Sequence, residues 1–320
     1  MTAIEIRDKK LFATKRPVPH PGKGSVLVRV HAAGLNRPDL LQVDGKYPPP
    51  PGISDIPGLE IAGTVVKGNK KFKAGQKVCA LVAGGGYAEY CVVPAGQCLP
   101  LPRGLDFVQG AALPETFFTV WRNLFDIGHL RKGESVLIHG GASGIGTAAI
   151  QMARTKDARI FVTAGTDAKC RACTDLGAEL AVNYKRKDFV SAILKATDNT
   201  GINLIIDMIG GDYLPRNLDA LATGGRHVSI AMQHGKKASL DIFKIMSKQL
   251  TLTGSTLRAQ PVATKTAIAR KLHKNIWPLL ANGKIKPIID KTFALKDAQA
   301  AHDYLRAGKH IGKVILTIKQ

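Results

Sequence analysis

The chain has 320 residues, of which 45% are hydrophobic and 22% charged, a balance typical of globular rather than disordered proteins. No apolar run approaches the ~18 residues of a membrane-spanning helix, and the opening sequence MTAIEIRDKK lacks the apolar core of a secretion signal. Five cysteines are too few for a disulfide scaffold, and their odd number fits a reducing compartment. We therefore expect a cytoplasmic protein of two domains with no membrane partner.

The charge balance is strongly basic, with 46 Lys and Arg against 24 Asp and Glu and a formal net charge of +22. Such an excess can bind nucleic acid, acidic membranes or anionic ligands. The densest cluster is KGNKKFKAGQK, residues 67–77, which is typical of a hairpin tip, and a second cluster is residues 185–187. Neither alternates with aromatic residues that could stack on bases. We interpret both as solvated basic surface and keep nucleic-acid binding as the less favoured alternative.

The first 115 residues contain short β-type segments separated by turn-forming sequences such as YPPPPG and AGGG. This spacing predicts an antiparallel barrel or sandwich. The prolines at 48–51 predict a stiff loop, because proline cannot join a central strand. The predicted strands are Ser25–Ala32, Leu59–Val66, Lys77–Val82 and Tyr87–Val93.

From about residue 130 the pattern changes to short apolar strands that alternate with amphipathic helices. This alternation predicts a doubly wound α/β domain with a six-stranded parallel sheet in the Rossmann order 3-2-1-4-5-6. The predicted strands are Ser135–His139, Arg159–Thr163, Leu180–Asn183, Asn203–Asp207, Arg226–Ala231 and Leu250–Thr253. The predicted helices are Ile145–Lys156, Asp167–Leu176, Lys187–Ala196, Asp212–Leu221 and Asp241–Lys248.

The tail after residue 260 is too short to form a domain of its own, so we expect it to complete the N-terminal domain. It carries a predicted helix over Ala263–Ala281, a strand-like Ile285–Ile289, a helix over Asp297–Arg306 and a strand over Lys313–Ile318. The predicted domains are residues 1–115 with 261–320, and residues 116–260.

A glycine-rich motif, HGGASGIG at residues 139–146, follows a predicted strand directly and opens a predicted helix. Such a turn lets backbone amides approach a pyrophosphate at the positive end of the helix. The motif departs from G-x-G-x-x-G because Ser143 takes the middle position, but its placement predicts dinucleotide binding. Short-chain dehydrogenases share these letters, yet no tyrosine of this chain has a lysine four positions on, which excludes their catalytic pair.

The choice of dinucleotide depends on the residues after the second strand of this domain. An NAD site usually carries Asp or Glu at the end of that strand, and the sequence here is Thr-Ala-Gly-Thr at residues 163–166. Asp167 follows at a helix start, where capping is its ordinary role. Lys169 and Arg171 come next, and a 2′-phosphate needs such cations. The pattern favours NADPH, with solvated helix residues as the alternative.

No metal site is predicted. Cys170 and Cys173 form a C-x-x-C pair, but zinc would need two further ligands at a suitable spacing, and none is present. Packing of two small side chains is the preferred interpretation of this pair, and a redox pair is the alternative.

Several longer segments, AAGLNRPDLLQVDGKYPPPPG, IPGLEIAGTVV, VLIHGGASGIGTAAIQ and AHDYLRAGKHIGKVIL, resemble the medium-chain dehydrogenase/reductase superfamily. Within it the chain is similar to the zinc-free quinone oxidoreductase branch, which includes zeta-crystallin. The resemblance implies a GroES-like, mainly antiparallel β catalytic domain split around a Rossmann domain, an NADPH cofactor and a homodimer.

The resemblance also shows departures from the zinc alcohol dehydrogenases. Leu59 stands where those enzymes carry a ligand His, and Asn36 where they carry a ligand Cys. Without a Lewis acid, alcohol oxidation loses the group that stabilises its alkoxide. A quinone or enone accepts hydride with less assistance, so the resemblance implies reduction of conjugated carbonyls.

The family pattern assigns Asn36 and Tyr47 to the substrate pocket as catalytic residues that position the substrate by hydrogen bonds. Leu41 replaces a tyrosine found near there in some relatives. As alternatives, Asn36 caps a turn and Tyr47 packs on the neighbouring prolines. By the same resemblance, the cofactor-binding residues are Thr119, Gly141, Ser143, Gly144, Ile145, Gly165, Thr166, Lys169, Tyr184, Met208, Ser229, Met232, Ser255, Thr256, Gly312 and Lys313.

The favoured hypothesis is an NADPH-dependent quinone oxidoreductase that transfers hydride directly, mainly through proximity and orientation. The first alternative is an enoyl reductase that acts on α,β-unsaturated aldehydes, ketones or thioesters. The second is a nucleic-acid-binding protein, motivated by the net charge of +22.

Overall fold

A computed structural model describes residues 1–319, which form two compact units: residues 1–118 together with the chain from Leu257 onward, and Thr119–Thr256. No helix in the described part is long and apolar enough to cross a bilayer. The strands are β1 (Thr2–Arg7), β2 (Lys10–Lys15), β3 (Ser25–Gly34), β4 (Glu60–Lys67), β5 (Lys77–Leu81), β6 (Tyr90–Pro94), β7 (Cys98–Pro100), β8 (Ser135–His139), β9 (Arg159–Ala164), β10 (Leu180–Asn183), β11 (Ile202–Asp207), β12 (Leu221–Ser229), β13 (Thr251–Gly254), β14 (Ile289–Ala294) and β15 (Lys313–Thr317).

The α-helices are mostly short, and a π-helical turn, Arg122–Ile127, directly follows the third of them. They are α1 (Arg37–Val43), α2 (Phe107–Gly110), α3 (Pro114–Trp121), α4 (Gly144–Arg154), α5 (Asp167–Asp175), α6 (Phe189–Ala196), α7 (Tyr213–Ala220), α8 (Ile242–Ser247), α9 (Val262–Asn275), α10 (Trp277–Ala281) and α11 (Ala298–Arg306).

The first unit is built on a seven-stranded, mainly antiparallel sheet in the order β14-β15-β3-β4-β5-β7, with β6 also paired to β3. Its central strand β3 reads SVLVRVHAAG, and most of its side chains are buried in an apolar core. The tail strand β15 pairs antiparallel with β3, so the end of the chain completes the sheet begun at its start. The lysine-rich segment 67–77 is the exposed hairpin between β4 and β5, as predicted.

The second unit contains a six-stranded parallel sheet in the order β10-β9-β8-β11-β12-β13. In order of appearance along the chain this is 3-2-1-4-5-6, so the predicted topology and the α/β class are confirmed. Helices follow each of the first five strands because short buried strands such as SVLIH alternate with amphipathic segments. Parallel strands place their carboxyl ends at one edge, where the loops after β8, β9, β11 and β12 meet.

The structure differs from the sequence prediction mainly in the tail. The helix predicted over residues 263–281 is two helices, α9 and α10, because the chain bends at Ile276 and Pro278 stands in the first turn of α10. The strand predicted over Ile285–Ile289 is wrong. Pro287 lacks a backbone N–H, Ile285 is buried in a turn after α10, and the strand β14 begins only at Ile289.

Candidate functional site

The glycine-rich turn between β8 and α4 allows three stretches of backbone to approach one another closely. Gly140 has φ +69°, and the amide of Gly141 donates to the carbonyl oxygen of Thr163 at 2.9 Å. A Cβ on Gly141 would lie 2.6 Å from the Cβ of Val162. A Cβ on Gly146 would lie 2.4 Å from the carbonyl oxygens of Gly140 and Gly141. The turn therefore requires glycine at both positions, as the motif predicts.

Ser143 is the N-cap of α4, and its Oγ accepts a hydrogen bond from the amide of Gly146 at 3.0 Å. The cap satisfies one of the amide donors that a helix N-terminus leaves without an intrahelical partner. Gly144 and Ile145 occupy the first helical positions after it. Their amides lie at the positive end of the helix, which is an arrangement suited to a pyrophosphate.

The loop after β9 carries the residues expected beside the adenosine ribose. Thr166 is the N-cap of α5, with its Oγ1 accepting from the amide of Lys169 at 3.2 Å, so Asp167 does not have the capping role expected from sequence. Instead the Asp167 carboxylate accepts from Asn183 Nδ2 and Arg186 Nη1, both at 2.5 Å, and these contacts lower its pKa. Arg186 is thus a basic neighbour of this loop, whereas its sequence context indicated only solvated surface charge.

Tyr184 lies over Gly165 at the end of the next strand. A Cβ on Gly165 would be 2.9 Å from the Tyr184 hydroxyl oxygen, so a larger residue would displace the ring. Tyr184 is 41% exposed. The structure therefore brings Gly165, Thr166, Lys169 and Tyr184 together around the α5 N-terminus.

A buried polar network, for which the sequence has no local signal, supports the loop after β11. His139 Nε2 lies 2.8 Å from Asn217 Oδ1, and Asn217 Nδ2 donates to Asp207 Oδ2 at 3.2 Å. Asp207 Oδ1 in turn accepts from the amide of Ile209 at 2.6 Å. Burial lowers the pKa of His139, so its ring is neutral in this network. The network fixes the backbone on both sides of Met208, whose sulfur packs beside Gly140.

Two predicted cofactor residues of the second unit, Thr119 and Ser255, are joined through Asn123 in the π-helical turn, and Ser255 also contacts Ser229. Asn123 Nδ2 donates to the Thr119 carbonyl oxygen at 2.8 Å, and Ser255 Oγ donates to Asn123 Oδ1 at 2.8 Å. The Ser255 amide donates to the Ser229 carbonyl oxygen at 3.0 Å. Asn123 had no sequence signal of its own. Of the other predicted residues here, Thr256 follows Ser255 and is exposed, and Met232 is a loop residue that is 57% exposed.

The first unit contains a buried polar cluster around Asn36, which begins helix α1 as its N-cap. Asn36 Nδ2 donates to Glu60 Oε1 at 2.9 Å, and Asn36 Oδ1 accepts from Lys313 Nζ at 2.7 Å. Lys313 also forms an ion pair with Glu60 at 2.5 Å and donates to the Leu35 carbonyl oxygen at 2.6 Å. The Lys313 ammonium, expected near the cofactor, is thus held inside this cluster, and its cofactor role stays a prediction.

Gly312 precedes this lysine in a conformation that only glycine adopts readily. Its φ is +83°, and a Cβ there would be 2.3 Å from the Ile288 carbonyl oxygen. This close approach places Lys313 at the start of β15. The Gly-Lys pair therefore has a clear structural role, and its proposed contact with the nicotinamide stays a prediction.

Tyr47 is partly buried beside Arg258, a residue with no sequence signal beyond its presence in the segment STLRAQ. The guanidinium lies 5.4 Å from the centre of the Tyr47 ring. Arg258 donates to the carbonyl oxygens of Tyr47 at 3.1 Å and Ala83 at 2.7 Å, and to Gln42 Oε1 at 2.7 Å. Arg258 thus ties the Tyr47 loop to α1 and to the segment that follows β5. Burial raises the pKa of the Tyr47 phenol.

Two further carboxyl groups of this cluster carry raised pKa values. Burial raises the pKa of Asp39 to about 6. Burial, followed by repulsion from Glu60, raises the pKa of Glu115 to about 8. Glu115 lies in the first turn of α3, and its amide donates to Glu60 Oε2 at 2.9 Å. Neither residue had been selected from the sequence, because the topology alone brings α1, β4 and α3 together.

Within residues 1–319, no group of three or more His, Cys, Asp or Glu side chains is placed to hold a metal ion. Cys170 and Cys173 are both free thiols. Burial raises the pKa of Cys173 to about 12, and its sulfur packs beside Gly141 in the glycine-rich turn. This thiol is unreactive by the usual criterion, since nucleophilic attack requires the thiolate.

Comparisons with known proteins give a family match in each of the two units. Residues 22–103 match the alcohol dehydrogenase GroES-like domain family, and residues 144–272 match the zinc-binding dehydrogenase family. The quinone oxidoreductase of Rattus norvegicus is 32% identical over 308 residues, which is 94% of this chain and 91% of that protein. The chain belongs to the medium-chain dehydrogenase/reductase superfamily, in its quinone oxidoreductase-like branch.

Solved structures of this superfamily share the whole fold. The Escherichia coli quinone oxidoreductase complexed with NADPH has a TM-score of 0.88 and 29% identity, covering 99% of this chain and 100% of that one. The CurK enoyl reductase has a TM-score of 0.87 and 25% identity, covering 99% of each chain. These relationships confirm the expected superfamily and fold, and they support an oxidoreductase that uses a nicotinamide cofactor.

Proposed function

We propose that this member of the superfamily is an NADPH-dependent quinone oxidoreductase that transfers hydride without a metal ion. The observation that carries the proposal is the cluster of Asn36, Glu60 and Lys313. The position of the zinc alcohol dehydrogenases' ligand Cys is taken here by an amide whose oxygen accepts from an ammonium at 2.7 Å. Leu59, in place of the ligand His, is buried and offers no donor atom. Zinc is bound by several donor atoms, and the Lys313 ammonium would repel it here. The residues at these two positions therefore do not fit a zinc ion.

The second unit fits a dinucleotide that carries a 2′-phosphate. The glycine turn and the α4 N-terminus suit the pyrophosphate. Asp167, the acid that follows β9, is paired with Arg186, so its carboxylate is already engaged and is not available for a ribose diol. Lys169 and Arg171 add positive charge to the same helix start, which favours a phosphate.

When bound, NADPH supplies the hydride, and the residues of the first unit position the acceptor. Asn36 directs its N–H groups to Glu60 and to the Gly34 carbonyl oxygen, which leaves Tyr47 as the hydrogen-bond donor toward an acceptor carbonyl. Arg258 fixes the Tyr47 backbone and ring. Catalysis then depends mainly on holding two reactants in the productive orientation, which is worth several orders of magnitude in rate.

The test is the oxidation of NADPH and of NADH by the purified protein with 9,10-phenanthrenequinone and simple para-quinones. We expect quinone-dependent loss of the NADPH absorbance and much slower oxidation of NADH. A protein that binds NADPH but reduces none of these quinones would refute the quinone assignment.

Enoyl reduction is the second candidate, and the similarity to the CurK enoyl reductase favours it. The same hydride would add to the β-carbon of an α,β-unsaturated carbonyl, and Tyr47 would bond the carbonyl oxygen. Turnover of crotonyl thioesters and alkenals, compared with the quinones at equal NADPH, separates the two activities. A higher kcat/KM for the enones would replace the first assignment by the second.

We also propose that the protein is a homodimer, formed through the free edge of the Rossmann sheet. The strand β13 ends the sheet order and carries no charge or proline that would block pairing. On the nearby helix α8, Ile242, Phe243 and Met246 are 68%, 73% and 68% exposed. A second copy would cover both features at once. Light scattering should give a dimer for the wild type and for Val262→Ser, and a monomer for Phe243→Ser.

A further inference from the structure

The carboxylate of Glu60 physically joins two residues of the first unit that lie far apart in sequence. Its Oε1 accepts from Asn36 Nδ2 at 2.9 Å, and its Oε2 accepts from the amide of Glu115 at 2.9 Å. The α3 N-terminus is therefore fixed beside the predicted substrate-positioning residue. The Glu60 carboxylate therefore holds both Asn36 and the backbone of Glu115, and the Glu115 side chain takes no part in this contact.

The Glu115 side chain is not engaged by a partner in the part of the chain that the structure describes. Within residues 1–319 its carboxyl group has neither a hydrogen bond nor an ion pair, and the residue is only partly buried. A carboxyl group in such a place is costly in its charged form, because burial removes water without supplying donors. The group therefore keeps its proton at neutral pH while remaining partly accessible.

Charged groups from four elements act electrostatically on Glu115. Glu60 on β4 and Asp39 on α1 disfavour its charged form, whereas Lys313 on β15 and Lys265 on α9 favour it. The charge of Glu115 also acts on Arg258 and on Tyr47. Burial is the main cause of the raised pKa of Tyr47, and Glu115 is the second cause. Tyr47 and Glu115 thus share one electrostatic environment, with Asn36 linked to it through Glu60.

We propose that Glu115 is the acid that supplies the proton taken up by the acceptor after hydride transfer. This inference rests on the proposed function. Hydride addition forms a new C–H or O–H bond on the acceptor and leaves its electron pair on a carbonyl oxygen. Glu115 transfers its carboxylic proton to that oxygen, which gives the neutral hydroquinone or enol, and the Glu115 carboxylate recovers a proton from solvent. Two electrons and two hydrogens are thereby added, and the cofactor leaves oxidised.

The Glu115→Gln variant is the sharpest probe, because glutamine has the shape of the protonated acid and cannot release a proton. We expect kcat with 9,10-phenanthrenequinone to fall about a hundredfold, the lower end of the usual contribution of general acid catalysis, with KM for NADPH unchanged. The wild-type kcat should decline as pH rises through about 8, where Glu115 ionises, and this decline should vanish in the variant. Glu89→Gln removes another half-buried carboxylate of the same unit and should retain the wild-type profile.

A second measurement reports on Glu115 without any turnover. Its folded pKa lies above its unfolded value, so the unfolded state loses this proton first as pH rises. Between the two pKa values the folded state binds more protons, and the free energy of unfolding falls with pH. Denaturation of Glu115→Gln at about pH 5 and about pH 8.5 should show the variant gaining stability relative to wild type at the higher pH.

The outcomes separate this inference from the function on which it rests. Wild-type protein that reduces neither quinones nor enones would refute the proposed function. The pH-dependent difference in stability between Glu115→Gln and wild type would still be expected in that case. Quinone turnover by Glu115→Gln at the wild-type rate, with the same alkaline decline, would overturn the role of Glu115. A stability difference that is identical at both pH values would overturn it as well, because Glu115 would then already be ionised.

Discussion

The glycine turn of the second unit and the Asn36 cluster of the first solve the problem of ligand placement in opposite ways. The turn uses backbone amides from one continuous stretch, residues 139–146, and it contains no ionised side chain. The cluster uses polar and ionisable side chains contributed by four separate segments, α1, β4, α3 and β15, and Asn36 and Lys313 are 277 positions apart. The first arrangement is therefore vulnerable to added volume, whereas the second is vulnerable to lost charge.

The largest effect is expected from Lys313→Met. Glu60 is fully buried, and removing its ammonium partner leaves a buried charge uncompensated, which costs about 3–5 kcal/mol. Urea denaturation measures the loss, with the exposed Lys309→Met as control. Adding Glu60→Gln to the variant should restore part of the stability. Equal stability of Lys313→Met and wild type would mean that the ion pair does not hold the cluster together.

Gly146→Ala tests the opposite region by adding a single methyl group. The new Cβ would meet two carbonyl oxygens at 2.4 Å, so we expect a loss of about 1–3 kcal/mol in stability. NADPH affinity should fall as well, because the displaced amides form the turn. Gly22, which has nothing within 4 Å of its Cβ position, supplies the control alanine variant. Wild-type NADPH affinity in Gly146→Ala would contradict the proposed pyrophosphate site.

This contrast also explains what the sequence could and could not reveal. The Rossmann order and the glycine turn follow from local patterns, since HGGASGIG stands between its own strand and helix. Glu115 and Arg258 have no local signal, because their partners come from elements brought together only by the sheet topology. Lys313 was selected by family pattern, but its burial against Glu60 depends on β15 joining β3.

Lys169→Ala addresses the choice of cofactor in the second unit. A charge-assisted hydrogen bond to phosphate contributes about 1.5–3 kcal/mol, so the affinity for NADPH should fall by at least tenfold. The affinity for NADH should be nearly unchanged. Isothermal titration with both cofactors measures the two affinities, and Lys195→Ala, which removes an exposed lysine of the same unit, controls for general charge. Parallel losses for both cofactors would remove the assignment of Lys169 to the 2′-phosphate.

Tyr47→Phe removes one hydroxyl from the first unit and should have a smaller effect. A single hydrogen bond contributes about 0.5–1.5 kcal/mol, so kcat/KM for quinones should fall roughly two- to tenfold with stability retained. Tyr90→Phe, also partly buried, serves as the control. Unchanged steady-state kinetics in Tyr47→Phe would favour the packing role of this ring.

The smallest effect is expected from the basic hairpin between β4 and β5. Lys70→Glu combined with Lys73→Glu reverses two exposed charges of this hairpin. NADPH binding and quinone turnover should stay at wild-type values, and neither protein should bind single-stranded RNA at physiological salt. Salt-sensitive RNA binding by wild type alone would revive the nucleic-acid hypothesis.

The central claim is that hydride passes from NADPH to a conjugated acceptor with no metal ion. The most direct test is the rate of NADPH oxidation with 9,10-phenanthrenequinone by protein treated exhaustively with a chelator, with its metal content measured on the same sample. We predict full activity at a metal content far below one ion per chain, with no gain on adding zinc. Activity that disappears on chelation and returns with stoichiometric zinc would contradict the account.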